Sequence, residues 1–327
     1  MKTLYLTTFL LFLTLQLTAQ TIEFAQTTVN GDAVPYLFIS ESTSPKPVLL
    51  FVAGSMPSPP LVTNAEGDTL STLPFDYQAY TDRFQVVVVS KKCIPLLVDY
   101  KQLDDRSVFV DSETRRIPDC FRQGNAATDD VDRHLAVIQA LRSKTGVQSG
   151  KILLIGHSAG ARVATKIAAA SNSISHLAYL SSEPRGRFYE ILQRAANSAS
   201  PASATDTLAL TKALTEWENV VNNQQNREAE YSDSYRTTFS HSTDMLPILM
   251  KLNQPIFAAW GSRDEKAGGM TAIPYEFIRS GKTNLTYRIF PDMNHNFYRV
   301  NEKGGIERDH FFFPAVVDTI VNWFFSI

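Results

Sequence analysis

Cysteine is nearly absent: Cys93 and Cys120 are the only two in 327 residues. Two thiolates are too few for a structural zinc site, and the histidines lie far from both. A dense disulfide scaffold of the kind that holds small secreted domains together is excluded as well. One bridge remains available. It would stabilise the chain by roughly 3 kcal/mol in the chain-entropy estimate, but the sequence leaves open whether the two residues meet. An excess of charge of either sign is also missing. The 31 basic and 33 acidic side chains leave a net charge of −2, which provides no field for nucleic acid or an anionic membrane. There is no internal repeat, collagen-like period or low-complexity tract. Beyond residue 20 no stretch is long and apolar enough to span a bilayer.

The first residues, MKTLYLTTFLLFLTLQLTAQ, are of a different kind. Lys2 supplies a positive start, Leu4 to Leu17 an apolar centre, and Thr18-Ala19 a small-residue cleavage site. The run falls short of the roughly 20 residues a spanning helix needs and is broken by threonines. The expectation is a cleaved signal over 1–19, a mature chain of 20–327 that is soluble, and a secreted or periplasmic address.

Hydrophobic residues make up 44% of the chain, enough for one sizeable core. Asn30-Gly31 between two alternating segments predicts a hairpin, with Pro35 suited to an edge strand. Pro47 to Val52 and Gln85 to Ser90 are unalternating apolar runs, typical of a sheet covered on both faces. Residues 99–127 are polar and irregular and form an excursion. Thr128-Asp129-Asp130 opens a helix whose face carries Val131, Leu135 and Ile138. Further strands are expected at 176–181, 255–260 and 285–290, the last of them closing the sheet. A final helix over 314–325 packs Val316, Val317, Ile320, Trp323 and Phe324 into the core. Between them, residues 185–250 are rich in Asn, Gln, Ala and Ser. This segment predicts a helical insertion laid over the strand ends as a cap, with a helix at 207–221 and a loop at 198–205. A crossover lengthened by a surface insertion is the competing reading. Strands alternating with helices predict an α/β fold built on a mostly parallel, twisted sheet.

The strongest signal is KILLIGHSAGARVATKIAAA, from Lys151 to Ala170. An apolar strand, Ile152 to Ile155, runs into Gly156-His157-Ser158-Ala159-Gly160, and a helical pattern follows. Strand, G-x-S-x-G and helix together describe a nucleophile elbow, in which a serine stands on a strained turn above a sheet. Its glycines let neighbouring backbones approach closely.

With these residues the chain resembles the α/β-hydrolase superfamily, and the likeness extends over the mature chain. WGSRDE and IFPDMNHNF are similar to the acid and histidine loops of that family. The resemblance implies the order nucleophile, acid, histidine: Ser158, Asp264 and His295. Asp292 and Glu265 compete for the acid position. It also implies an oxyanion hole made by the N–H of Ala159 and one from the loop after Val52, Ser55 first and Met56 next. Here Ala53-Gly54 stands where the family commonly has His-Gly. Among the other histidines, His134 and His176 read as structural, His157 as shaping the pocket, His241 as a solvated cap residue with substrate contact as the alternative, and His310 as unpartnered. Asn284-Leu285-Thr286 matches a glycosylation acceptor but borders a strand expected to be buried, and nothing is drawn from it.

The implied activity is hydrolysis of a carboxylic ester, in a small-molecule acyl substrate, through an acyl-enzyme and without metal or organic cofactor. A small peptidase or aminopeptidase and a thioesterase share the fold and triad. A catalytically silent binding protein of the same fold is the alternative outside the enzymes.

Overall fold

Strands that are apolar on both sides need cover on both faces, and the computed structural model provides it. The structure describes residues 20–197, 204–228 and 233–327. The expected signal at 1–19 and most of the expected loop at 198–205 lie outside the described residues. The chain opens with the hairpin β1 (Thr21–Val29) and β2 (Asp32–Ser40). Asn30 and Gly31 turn it with φ of 50° and 84°, the left-handed pair that Asn-Gly favours. Next come β3 (Lys46–Val52), the short β4 (Leu61–Thr63) and β5 (Thr69–Ser71), then β6 (Gln85–Val89) and β7 (Leu97–Asp99). Helices α1 (Asp119–Gly124) and α2 (Ala127–Leu141) lead to β8 (Val147–His157), α3 (Ala159–Ala170) and β9 (Ile174–Leu180). The segment that follows holds α4 (Arg187–Asn197), α5 (Ala204–Asn222), α6 (Tyr235–His241) and α7 (Leu246–Leu249). The chain rejoins the sheet at β10 (Ile256–Gly261), crosses by α8 (Ala272–Arg279) to β11 (Leu285–Phe290), and ends in β12 (Tyr298–Val300), β13 (Ile306–Phe311) and α9 (Phe313–Ser326).

Eight strands form the central sheet in the order β1-β2-β6-β3-β8-β9-β10-β11. The first two pairings are antiparallel, and those from β6 to β11 are parallel. Side chains of α2, α3, α7 and α8 cover one face, with Val137, Val163, Ile167 and Phe277 in that layer. The other face packs against α9 through Val316, Val317, Ile320 and Phe324, together with Phe75 and Tyr80. From β3 the chain crosses to β6 on one side, and β8 adds on the other. The carboxyl ends of β3 and β8 therefore flank a reversal of strand order, where open α/β sheets leave a crevice.

Three features differ from expectation. Pro35 lies in β2, which is flanked by β1 and β6, so β1 is the edge. It is tolerated because its carbonyl, which accepts from Ser90, faces the β6 side just past the end of β6, so no ladder donor is missed there. The 285–290 strand is the sheet edge but not the last strand, since β12 and β13 pair beyond it. Their sequences carry too many charges to read as strands. The 99–127 excursion is ordered by local turns, by a bridge between Leu103 and Phe109, and by α1, which lies within it.

Cys93 and Cys120 are joined, with Cα atoms 6.1 Å apart across 27 residues. The bridge ties the turn after β6 to α1. Phe109 in the excursion donates its N–H to the Pro57 carbonyl, and Ser58 Oγ donates to the Ser107 carbonyl. Cys93→Ser/Cys120→Ser should lower unfolding free energy in urea by about 3 kcal/mol. An unchanged midpoint would show that the excursion needs no staple.

Candidate active site

Ser158 closes β8 and stands immediately before α3, with φ 56° and ψ −125°. That is a costly conformation for a residue with a side chain. It persists because both sides are pinned: Ser158 N–H donates to the Leu180 carbonyl at 2.9 Å, and its own carbonyl accepts from Ala161 N–H at 3.0 Å. The glycines explain why the elbow fits. A Cβ on Gly160 would strike the Val52 carbonyl, and one on Gly156 would lie 2.7 Å from Ala161 Cα. The loop after β3 thus passes over α3 with no room for any side chain there.

Two other loops reach the same point. Asp264 follows β10 and His295 follows β11. Gly261 allows them to meet, since any Cβ there would strike the Met293 carbonyl. His295 Nε2 is 2.9 Å from Ser158 Oγ, and its Nδ1 is 3.0 and 3.1 Å from the two Asp264 carboxylate oxygens. A carboxylate only accepts, so Nδ1 carries the hydrogen and Nε2 is free to accept the serine proton. The Asp264 side chain has no exposed surface, while His295 keeps 15%. Asp264 Oδ1 also accepts Lys266 N–H at 2.9 Å, which fixes its rotamer. The structure therefore brings Ser158, Asp264 and His295 into one hydrogen-bonded line.

Asp292 and Glu265 are not brought in. Asp292 lies 3.7 Å from Arg263 and its N–H meets Ser262 Oγ, while Glu265 points to solvent. The expected anion site is partly visible. The loop after Val52 passes so near Ser158 that a Cβ built on Gly54 would sit 3.5 Å from the serine Cβ. Among the described residues, Ser55 and Met56 N–H donate to no backbone carbonyl, and Ala159 N–H is the first of α3, where helical geometry leaves it unpaired.

The remaining histidines separate clearly. His134 is buried in α2 with Nδ1 2.7 Å from the Asp130 carbonyl, and burial pushes its pKa down to about 4. His176 packs on Trp323 and Phe324. His241 departs from expectation: it is the last residue of α6, 2% exposed, with Nε2 3.3 Å from the Asn125 carbonyl. Burial holds it well below its usual pKa. It is sheltered because α6 docks on α2, through the Arg236–Asp129 ion pair and the bond from Ala127 N–H to Ser240 Oγ. His310 is exposed on β13.

Sequence reasoning missed Glu183, a fully buried carboxylate three residues beyond β9. Burial raises its pKa, while bonds from the N–H groups of Arg185 and Gly269 oppose the shift. Through Gly269 it braces the stretch that follows Asp264. An acid at the carboxyl end of the strand next to β8 was the available signal.

No family model and no curated protein matches the sequence. Solved structures do resemble the fold. The Pyrococcus furiosus esterase superposes with a TM-score of 0.53 at 13% identity, over 94% of this chain and 90% of that one. E-2-(Acetamidomethylene)succinate hydrolase gives 0.53 at 13%, over 94% and 100%. Porphyromonas gingivalis dipeptidyl peptidase 4 gives 0.53 at 13%, over 93% of this chain but only 35% of that protein. The protein has the α/β-hydrolase fold. Among the described residues no helix is long and apolar enough to cross a membrane.

Proposed function

We propose that the protein is an exported serine hydrolase that cleaves carboxylic esters through an acyl-enzyme. The observation that supports it is the line Ser158–His295–Asp264, with a 2.9 Å contact between hydroxyl and imidazole. A serine hydroxyl becomes an effective nucleophile only when a base removes its proton as it attacks. His295 Nε2 stands where that proton leaves. Asp264 holds the ring in the right tautomer and stabilises the imidazolium. The oxyanion formed on the substrate carbonyl is met by the N–H groups of Ala159 and Ser55, with Met56 beside them. His295 then protonates the leaving alcohol, and water repeats the sequence to release the acid. Nucleophile, base, orienting carboxylate and oxyanion donors are all supplied by the chain, so the reaction needs no cofactor.

Segment 185–250 is read as a cap over the site, and the leader as the export signal. The expected result with a panel of p-nitrophenyl esters and aminoacyl-p-nitroanilides is turnover of short acyl esters with kcat/KM at least tenfold above the anilides. The peptidase reading replaces this one if the anilides turn over faster. No turnover, together with no labelling by a fluorophosphonate probe, would leave a binding protein of this fold.

A further inference from the structure

His157 adjoins the nucleophile in the chain, but its side chain engages a different loop. Its Nε2 lies 2.9 Å from the backbone carbonyl oxygen of His295. A carbonyl only accepts, so Nε2 carries the hydrogen and donates it, which determines the tautomer of the ring. The ring is 8% exposed. Its centroid stands 5.1 Å from the His295 ring, 5.1 Å from Phe313 and 6.3 Å from Phe297. Burial, and then the nearby His295 imidazole, push its pKa down to about 3. The ring therefore stays a neutral donor while its neighbour gains and loses a proton.

The loop carrying His295 is otherwise braced on itself and on the segments after β10 and β13, through the bonds from Arg263 N–H to the Met293 carbonyl, from Asp292 N–H to Ser262 Oγ and from Phe312 N–H to the Phe297 carbonyl. Asn294 Oδ1 accepts the N–H groups of Asn296 and Tyr298, each at 3.0 Å, and Phe297 N–H returns to the Asn294 carbonyl. These bonds give the loop its shape, and Phe297 seals it into the core. None of them refers to the elbow that holds the serine. Two parts of the chain 137 residues apart must meet with a tolerance of a few tenths of an ångström. The bond from His157 runs between them directly, from the residue before Ser158 to the main chain of His295.

We propose that His157 is a positioning residue: it holds the His295 main chain from beside the nucleophile and so sets the gap between imidazole and serine hydroxyl. It acts through His295, and the proposal rests on the reading of Ser158 and His295 as nucleophile and base. His157→Phe keeps a ring against Phe297 and Phe313 but removes the donor. His157→Gln keeps a donor of similar reach and removes the aromatic faces. His157→Asn has a donor too short to reach.

The phenylalanine variant should lose about 10- to 100-fold in kcat with KM within about twofold of wild type. Fluorophosphonate labelling of Ser158 should slow by a similar factor. Glutamine should recover most of the loss, although it melts at the lower temperature, and asparagine should not recover it. Wild-type kcat in His157→Phe overturns the proposal. So do equal rates for the glutamine and asparagine variants, a comparison that holds even if the phenylalanine variant fails to fold. Crystal structures of wild type and the asparagine variant give a readout free of activity. Opening of the 2.9 Å Ser158–His295 contact in the variant supports the proposal, and an unchanged contact overturns it. A wild type that neither turns over esters nor labels refutes the hydrolase reading instead, and the crystallographic comparison still decides the role of His157.

Discussion

Ser158→Ala should lower kcat on an ester substrate by about 10⁴- to 10⁶-fold while the protein remains folded. On the proposed mechanism the serine supplies the bond-forming oxygen, so its loss leaves only the oxyanion donors and substrate binding to act on the reaction. Alanine occupies the same backbone position with a smaller side chain. The strained φ of 56° is unchanged in kind, and the pinning bonds to Leu180 and Ala161 use only backbone atoms. Stability should therefore shift by less than about 1 kcal/mol. If nucleophile and base act as one unit, as proposed, adding His295→Ala should cost little more. Stopped assays with p-nitrophenyl esters, checked by circular dichroism, measure both quantities. An alanine variant within tenfold of wild type would remove Ser158 from the reaction. Two full, multiplying losses in the double variant would show that the pair does not work as a unit.

Acid should destabilise the fold steeply between pH 6.5 and 4, by on the order of 5 kcal/mol from buried imidazoles alone. Burial pushes His134 down to about 4 and His157 down to about 3, from an ordinary value of 6.5. The sign follows from the proton count. Below pH 6.5 the unfolded chain binds a proton at each ring that the folded chain refuses until the pH is far lower. Stability is thus fully present above 6.5 and is lost as the pH falls toward the folded-state values. His241, which burial also holds well below its usual value, adds in the same direction. Asp130 acts later and in the same sense. It is buried with Lys91 at 2.6 Å and, despite desolvation, that cation keeps its pKa below the usual carboxylate range. Urea midpoints measured every half pH unit should fall across this window, and His134→Gln should flatten part of the slope. A midpoint that stays level down to pH 4.5 would mean that these rings exchange protons freely in the folded state.

The two predictions depend on the sequence to different degrees. The elbow was legible because its requirements are local. A strand, two glycines, a serine and a helix follow one another within 20 residues, and steric exclusion at Gly156 acts over one turn, although that at Gly160 comes from the distant loop after β3. The inner strands β3, β6, β9 and β10 were legible for a similar reason, since burial on both faces leaves an unbroken apolar run. Strands β12 and β13 were not, because an exposed hairpin carries no such run. His241 was misplaced because its shelter comes from Asn125 and α2, more than a hundred residues earlier.

What the sequence determined by itself is therefore the parallel sheet and the strained serine, while the order in which acid and histidine follow it was implied by the family resemblance. Which acid serves, how the excursion is stapled, and which histidines are locked away from solvent were decided only by tertiary packing. The physical reason is range. Backbone sterics and hydrophobic periodicity act between neighbours in the chain, whereas hydrogen bonds and burial depend on which distant loops arrive at the same place. Asp264 and Asp292 flank comparable loops in the sequence, and only the fold brings one of them to 3.0 Å from His295.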